Sequence, residues 1–458
     1  MPASSHVDPN VGSIADYAHQ LRFGDLPADV VHQCRRTVVD SLGCALGAMD
    51  SQPARIARDV AMRVSVPSGA RVMGTGHRTL PELAAFANGV MVRYLDSNDA
   101  YPGGGGHPSD TLPAILAVAD ANGADGQTVV TAIALAYEVY YALWAATSLR
   151  DKGMDNVFYT TVAGAVGAAK VLGLDRTRIA ETVCLSVVPN VSLDATRYGN
   201  MSMWKGCAGG NGARNGVFAA LLAAAGMTGP EKAFAGDHGL EALTGRFTLQ
   251  PFAGGKGPFR INQATLKCFA SEGHSLSPIT TALELSRQVA ADDIQSVTVY
   301  TYHFAWDVIG REPEKWRPTT RESADHSMPY VVAAALIDGR FGDEVFSDER
   351  LQDPRIRKLM DKIAVKEDPE LTRRVTEGQL PCRIEIVTTS GERKTASTDY
   401  PRGHYKNPMS DGEIESKFRG YAERRMPAAR IAPALAALWK IDAAKNVSGL
   451  FEAVKCDG

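Results

Sequence analysis

Apolar positions in the first 250 residues recur with helical spacing. Leu112, Ile115, Leu116 and Ala119 fall at i, i+3, i+4 and i+7, which gives a helix one apolar face. Ser109 and Asp110 stand where helix caps belong, Pro113 is tolerated in a first turn, and Asn122-Gly123 supplies a stop. A second helix follows Asp125-Gly126 and runs from about Gln127 through the Tyr137–Tyr141 region. Small residues crowd positions 163–174 and 216–225, a texture that lets helices approach one another closely.

The pattern changes near residue 265. Ile294, Val297, Val299, Tyr300 and Tyr302 form a β-branched and aromatic run, and Cys382, Ile384 and Ile386 alternate with Arg383, Glu385 and Val387. Ser390-Gly391-Glu392-Arg393 resembles a turn into a returning strand. Between these runs the spacing predicts helical stretches around residues 329–337 and 356–365, and from Asp411 to Leu450 the chain is helical again. The expected architecture is mainly α with a second α+β domain. Residues 1–265 and 401–458 would form the helical domain and residues 266–400 the smaller inserted one.

Composition narrows the function classes. At 458 residues two domains are the natural expectation, and a formal net charge of -3 gives no bulk attraction to nucleic acid or to an anionic membrane. The longest apolar run, Val129 to Thr147, is interrupted by Glu138, which fits a buried helix better than a membrane span. The first residues lack a secretory pattern, so cytoplasmic residence is expected. Seven cysteines show no CxxC pair, which favours reduced thiols over a zinc or iron–sulfur site.

Candidate chemistry gathers in a few places. Leu95-Asp96-Ser97-Asn98-Asp99 is followed by Gly103 to Gly106 and then His107-Pro108-Ser109-Asp110. A histidine at the mouth of a helix can move protons near neutral pH, and a helix N-terminus favours an anion. Arg197 and Lys205 flank a flexible stretch; they either grip a carboxylate or stand as surface cations. Lys267 lies at the expected domain junction, where ligand sites are common, or else lays its stem over a core. His326, between Asp325 and Ser327, is either a structural histidine beside a helix cap or a site residue.

Taken in order, these elements resemble the MmgE/PrpD family of 2-methylcitrate dehydratases, which also includes cis-aconitate decarboxylases and an epimerase of iminodisuccinate. The resemblance rests on Val39-Asp40-Ser41-Leu42-Gly43, Leu95-Asp96-Ser97-Asn98-Asp99, His107-Pro108-Ser109-Asp110 and Met203-Trp204-Lys205-Gly206. Leu266-Lys267, Ala324-Asp325-His326-Ser327 and Tyr400-Pro401-Arg402-Gly403-His404 extend it over nearly the whole chain. It implies a helical domain built from both chain ends, an α+β lid, a homodimer, and an active site between the domains with neither metal nor cofactor. By motif it places Asp96, His107, Lys205 and Lys267 at catalytic positions and His326 at a substrate-binding one, and by local alignment it adds Asp99, Arg197 and Tyr330 to the substrate-binding residues.

The chain departs from relatives in three places. Asn98-Asp99-Ala100 replaces a frequent Asp-Asp-Thr, and Phe158-Tyr159-Thr160 stands where decarboxylases carry His-Pro-Thr, which argues against decarboxylation. Four glycines before His107 replace bulkier side chains and suggest a wider pocket. The implied activity is elimination of water from a small hydroxy di- or tricarboxylate by proton abstraction beside a carboxylate. Lys205, Lys267 and Arg197 would meet the growing charge, His107 would handle one proton, and a lysine or Asp96 the other. The alternative is an epimerase or isomerase using the same abstraction, with a decarboxylase behind it.

Overall fold

The computed structural model describes residues 8–102, 106–199, 201–254 and 257–456. Its first part is built from α1 (Pro9–Gln20), α2 (Ala28–Ala48), α3 (Gln52–Ala61), α4 (Pro81–Tyr94), α5 (Leu112–Asn122), α6 (Gly126–Ala146), α7 (Val157–Val171), α8 (Arg176–Val187) and α9 (Trp204–Ala224). A short antiparallel pair, β1 (Ala70–Arg71) and β2 (Arg78–Thr79), interrupts the series. The periodicity around residue 112 is realised as α5, which stops where Gly123 turns left-handed at φ 62°. Asp125 caps α6 through the Thr128 amide at 2.8 Å. Ser109 and Asp110 do not cap α5. A 3-10 turn, Pro108–Thr111, intervenes, and their side chains face the Asn98-Asp99 pair instead.

Small residues set the helix spacing. A methyl group on Gly89 of α4 would stand 2.5 Å from the Gly210 Cα of α9, and one on Gly216 would stand 2.8 Å from the backbone of α7. The α4–α9 and α7–α9 crossings therefore bring backbone against backbone. Helix α6 is long and apolar enough to cross a membrane, but most of its apolar window is buried in this helical core. Glu138, in its midst, is satisfied by the amides of Ala253 and Arg260 and by the Arg260 side chain.

The second part centres on a four-stranded sheet in the order β4-β3-β5-β6, with β3 at Ile294–Thr301, β4 at Ile363–Glu367, β5 at Cys382–Thr388 and β6 at Arg393–Thr398. The β3–β4 pair is parallel and the other two pairs are antiparallel. The turn before β6 closes through the Gly391 amide on the Thr388 carbonyl, with Gly391 at φ 85°. Helices Leu276–Leu285 and Met328–Asp338 pack on this sheet. One expectation fails here: residues 356–365 are not one helix. Helix Pro354–Met360 ends, and the β-branched Ile363-Ala364-Val365 joins the sheet as β4, because pairing to β3 overrides local spacing.

Buried apolar side chains fall into two clusters. One joins residues from Val11 to Leu266 with those from Met409 to Cys456, so the final helices return to the first part of the chain. The other runs from Ile279 to Ala396. Buried Asp96 and Lys205 of the first part meet buried Asp325 of the second where the two parts join.

Candidate active site between the helical and sheet-bearing parts

A cavity enclosing about 660 Å³, its open mouth included, is lined from both parts of the chain. Arg93, Asp96, Gly106, His107, Arg150, Asn156 and Arg197 come from the helical part, and Glu272, His274, Leu276, Phe304 and His326 come from the other. Three arginines thus face one space, which suits a ligand with several carboxylates.

Asp96 forms the centre. It follows directly on the C-terminal turn of α4 and has φ 53°, the only positive φ of a non-glycine among the described residues. That conformation is strained for a side chain with a Cβ and persists where surrounding contacts fix it. The contacts are cationic: Arg93 Nη1 stands 2.8 Å from Oδ1, and Lys205 Nζ donates to Oδ2 at 2.8 Å. Lys267 Nζ donates to Oδ1, to the Asp96 carbonyl at 3.0 Å and to the Ser271 carbonyl at 3.1 Å. Burial alone would push the Asp96 carboxyl up; Arg93, then Lys205 and Lys267, outweigh it and hold it well below the usual carboxylate range.

Both lysines are almost wholly buried against Asp96 and are not among the residues lining the cavity. Lys205 also donates to Asp325 Oδ2 at 2.8 Å, bridging two carboxylates. Burial lowers the Lys267 ammonium's pKa against the pull of Asp96. Among the described residues the side-chain cations that line the cavity are Arg93, Arg150 and Arg197, whereas Lys205 and Lys267 pair with Asp96.

His107 is held by both ring nitrogens. Its Nδ1 lies 2.6 Å from the Asp99 carbonyl oxygen, which makes Nδ1 the donor, and Nε2 accepts from Arg93 Nη2 at 2.8 Å. Its backbone amide donates to the Tyr140 hydroxyl at 3.1 Å. Gly106 has φ 75°, and a methyl group there would stand 2.2 Å from both that hydroxyl and Asn156 Nδ2, so only glycine passes. Gly103 to Gly105 lie outside the described residues. Burial, then Arg93 and Lys267, press the His107 imidazole well below its ordinary value.

The remaining expected residues divide. Arg197 lines the cavity while its guanidinium is anchored to Asp155 at 2.7 Å and to Asn156 at 3.2 Å. His326 lines it too, with Nδ1 2.5 Å from Asp325 Oδ1. Asp99 is not brought to the cavity. Its carboxylate accepts from the Ser109 amide at 3.0 Å, from the Ser109 hydroxyl and from the Tyr137 hydroxyl at 2.6 Å, and burial raises it to about 6. Its contribution to the site is the carbonyl that orients His107. Tyr330 is not brought there either: its hydroxyl donates to the Val345 carbonyl at 2.6 Å, inside the second apolar cluster.

Sequence reasoning passed over Arg93, Arg150, Asn156 and Glu272 as site residues. Arg93 carried a usable signal, since it precedes Asp96 by three residues at a helix end and so shares its face. Arg150 carried none; it lies in a short 3-10 turn, with its guanidinium 5.0 Å above the Phe304 ring. Asp96, Asp325 and His326 bring ligand-type atoms within 4.8 Å of one another. The Lys205 ammonium already bridges both carboxylates, so a divalent ion would meet a fixed positive charge, and this donor set does not fit a metal.

Residues 12–248 match the model of the MmgE/PrpD N-terminal domain, and residues 269–441 match that of the MmgE/PrpD C-terminal domain. The chain belongs to the MmgE/PrpD family. Among its relatives, the 2-methylcitrate dehydratase of Escherichia coli (strain K12) is 31% identical over 448 residues, covering 92% of this chain and 91% of the relative. The 2-methylcitrate dehydratase of Cupriavidus necator is 31% identical over 459 residues, covering 93% of each. An alkylcitrate dehydratase from a fungal species (strain ATCC 74256) is 28% identical, covering 91% of this chain and 88% of the relative. The two family models leave residues 249–268 between them, a stretch that lines the cavity at Thr265.

Proposed function

We propose that this MmgE/PrpD protein is a cofactor-independent hydro-lyase that removes water from a small hydroxy di- or tricarboxylate of the 2-methylcitrate type. The observation that carries the reading is the trio Arg93, Arg150 and Arg197 around a cavity that also holds His107 and His326. Its relatives' names supply the substrate class.

Removing a proton beside a carboxylate pushes negative charge onto that carboxylate, and fixed cations in a secluded site stabilise it. Arg93 is the nearest such group to His107. A substrate carboxylate that draws Arg93 away leaves His107 Nε2 able to carry a proton. The substrate's own charge then raises the imidazole's proton affinity, opposing the burial and the cations that depress it. Protonated in this way, His107 is the acid that converts the departing hydroxyl into water, a role worth roughly 10²–10⁴-fold in rate. Asp96, Lys205 and Lys267 act together in this reading: the lysines hold the carboxylate, and the carboxylate keeps Arg93 and His107 in place. Asn156, packed against Gly106, anchors Arg197.

A homodimer belongs to the same reading. Val191, Leu193, Tyr198 and Trp204 are exposed near one another in the chain and give a second copy an apolar face to cover. Light scattering checks it.

Proton NMR of the purified protein in D₂O, with 2-methylcitrate, citrate, cis-aconitate and iminodisuccinate in separate tubes, tests the function. A new vinylic signal from either citrate supports the hydro-lyase. Deuterium entering a substrate without elimination replaces that reading with an epimerase. Silence from every acid overturns the substrate class. For His107→Ala, kcat falls by roughly 10²–10⁴-fold with little change in KM. A raised KM with unchanged kcat reduces His107 to a binding group.

A further inference from the structure

Elimination needs two proton-handling groups, and the cavity geometry separates them. Lys267 has its three N–H donors committed to the Asp96 carboxylate, the Asp96 carbonyl and the Ser271 carbonyl. Lys205 is buried between two carboxylates. Neither lysine lines the cavity, so neither reaches a substrate carbon without dismantling the charge cluster. Asp96 does line it, but three cations share its two oxygens, which makes it a poor base. His107 has both ring nitrogens engaged, by the Asp99 carbonyl and by Arg93. His274 faces the cavity with its Nδ1 on the Tyr302 hydroxyl and its Nε2 3.8 Å from Glu272 Oε1, a carboxylate that favours a proton on that nitrogen.

His326 differs from all of these. Asp325 Oδ1 lies 2.5 Å from its Nδ1, so in the neutral ring Nδ1 carries the proton and Nε2 the lone pair. Nε2 has no hydrogen-bond partner among the described residues, and the ring lines the cavity. Asp325 is itself fixed, by Lys205 at its other oxygen and by the Ser271 hydroxyl and Glu272 amide at its carbonyl. A carboxylate that sets the tautomer of an imidazole and steadies its charged form is the arrangement of a general base. We propose that the Asp325–His326 pair is the proton-abstracting dyad of this site, with His326 Nε2 as the atom that takes the carbon-bound proton. This rests on the hydro-lyase reading above and assigns its base.

The step balances within the site. The C–H bond breaks and an N–H bond forms at His326 Nε2. The freed electron pair first rests on the adjacent carboxylate, and in a second step it becomes the C=C bond as the C–O bond breaks, while the departing oxygen takes the proton of His107 and leaves as water. His326 then returns a proton to solvent and His107 takes one up, so the protein ends as it began. Burial, and then Lys205, keep the free His326 imidazole below its ordinary value, which leaves it unprotonated and ready near neutral pH.

The test compares His326→Gln, His326→Asn and His107→Gln on protiated substrate and on substrate deuterated at the abstracted position. Asparagine keeps a donor where Nδ1 stands against Asp325 while deleting Nε2, so it guards against a loss that is only structural. Both His326 variants are expected to lose 10²–10⁴-fold in kcat with KM within a few-fold, and to show a larger deuterium isotope effect than wild type. His107→Gln is expected to lose kcat while its isotope effect falls toward unity, because leaving-group departure becomes limiting. Retention of kcat within about three-fold in His326→Asn overturns the proposal. So does the reversed isotope pattern, which makes His107 the base. Failure of the hydro-lyase reading is separate and visible beforehand, as wild-type protein that forms no vinylic product.

Discussion

Replacing Asp96 by asparagine probes the charge cluster with little backbone penalty, because asparagine tolerates the left-handed conformation found at φ 53°. The carboxylate stands 2.8 Å from Arg93 and 2.8 Å from Lys205, and Lys267 also donates to it. At an effective dielectric of about 20, each 2.8 Å pair is worth about 6 kcal/mol of attraction. The cost of burying each ion offsets several kcal/mol of that. Removing one member of such a group leaves the others uncompensated and costs about 3–5 kcal/mol. Lys267 moderates the loss, since burial already lowers its proton affinity and it can shed its charge. With about 2.1 cal/mol/K of unfolding entropy per residue over 458 residues, the corresponding drop in Tm is about 3–5 °C.

Differential scanning calorimetry at neutral pH reads this directly. The folded Asp96 carboxyl titrates well below its unfolded value, so its stabilisation is complete above the unfolded pKa of about 3.9 and fades as pH falls through that value toward the folded one. The gap between wild type and Asp96→Asn should therefore be full at pH 7 and narrow below about pH 4. A variant as stable as wild type at pH 7 refutes the reasoning, since burial of the charge would then outweigh its pairing. A gap that persists unchanged into acid refutes it as well.

Other outcomes follow from neighbouring contacts. Arg150→Met removes one cavity-lining cation without emptying the buried cluster, and on the proposed function steady-state kinetics should show KM raised about 10- to 100-fold, the worth of a charged hydrogen bond. Asp99→Asn places an amide N–H₂ among three donors and should cost about 1–3 kcal/mol in urea unfolding, with no selective effect on KM. Because burial raises Asp99 to about 6 and Asp110 to about 7, wild-type stability contributed by these two groups is full below about pH 4 and declines as pH rises through 6 and 7. A titration of Tm in which Asp110→Asn flattens that decline supports the assignment. Gly89→Ala drives a methyl group to 2.5 Å from the Gly210 backbone and should cost about 1–3 kcal/mol by thermal melting. Activity should survive exhaustive chelation, since Lys205 holds the space between Asp96 and Asp325; activity lost to a chelator and restored by a divalent ion overturns that account.

Much of this protein was legible locally. The spacing at Leu112, Ile115, Leu116 and Ala119, with glycine at 123, defined α5 because the helix period and its left-handed stop act over a few residues. Alternation at Cys382, Ile384 and Ile386 defined β5 for the same reason, and small residues at 164 and 216 marked helices that pack backbone to backbone. The stretch at residues 356–365 misled because strand pairing to β3, a contact more than 60 residues away, decides the identity of Ile363–Glu367.

The site divides along the same line. Local context marked Asp96 and His107 as candidates and left Lys205, Lys267 and His326 open between chemistry and structure; the order of their motifs, as the family resemblance has it, brought the five together as site residues. Sequence alone could not tell a group that faces substrate from one that supports it. That distinction depends on which cations line the cavity: Arg93, Arg150 and Arg197 do, while Lys205 and Lys267 are buried against Asp96. It also depends on hydrogen-bond partners supplied by the backbone, the Asp99 carbonyl for His107 among them. Residue identity fixes which protons and charges a chain carries. Tertiary packing alone decides which of them meet solvent, which neutralise one another, and which imidazole nitrogen is left free, because burial and Coulomb attraction depend on distance in space and not on order along the chain.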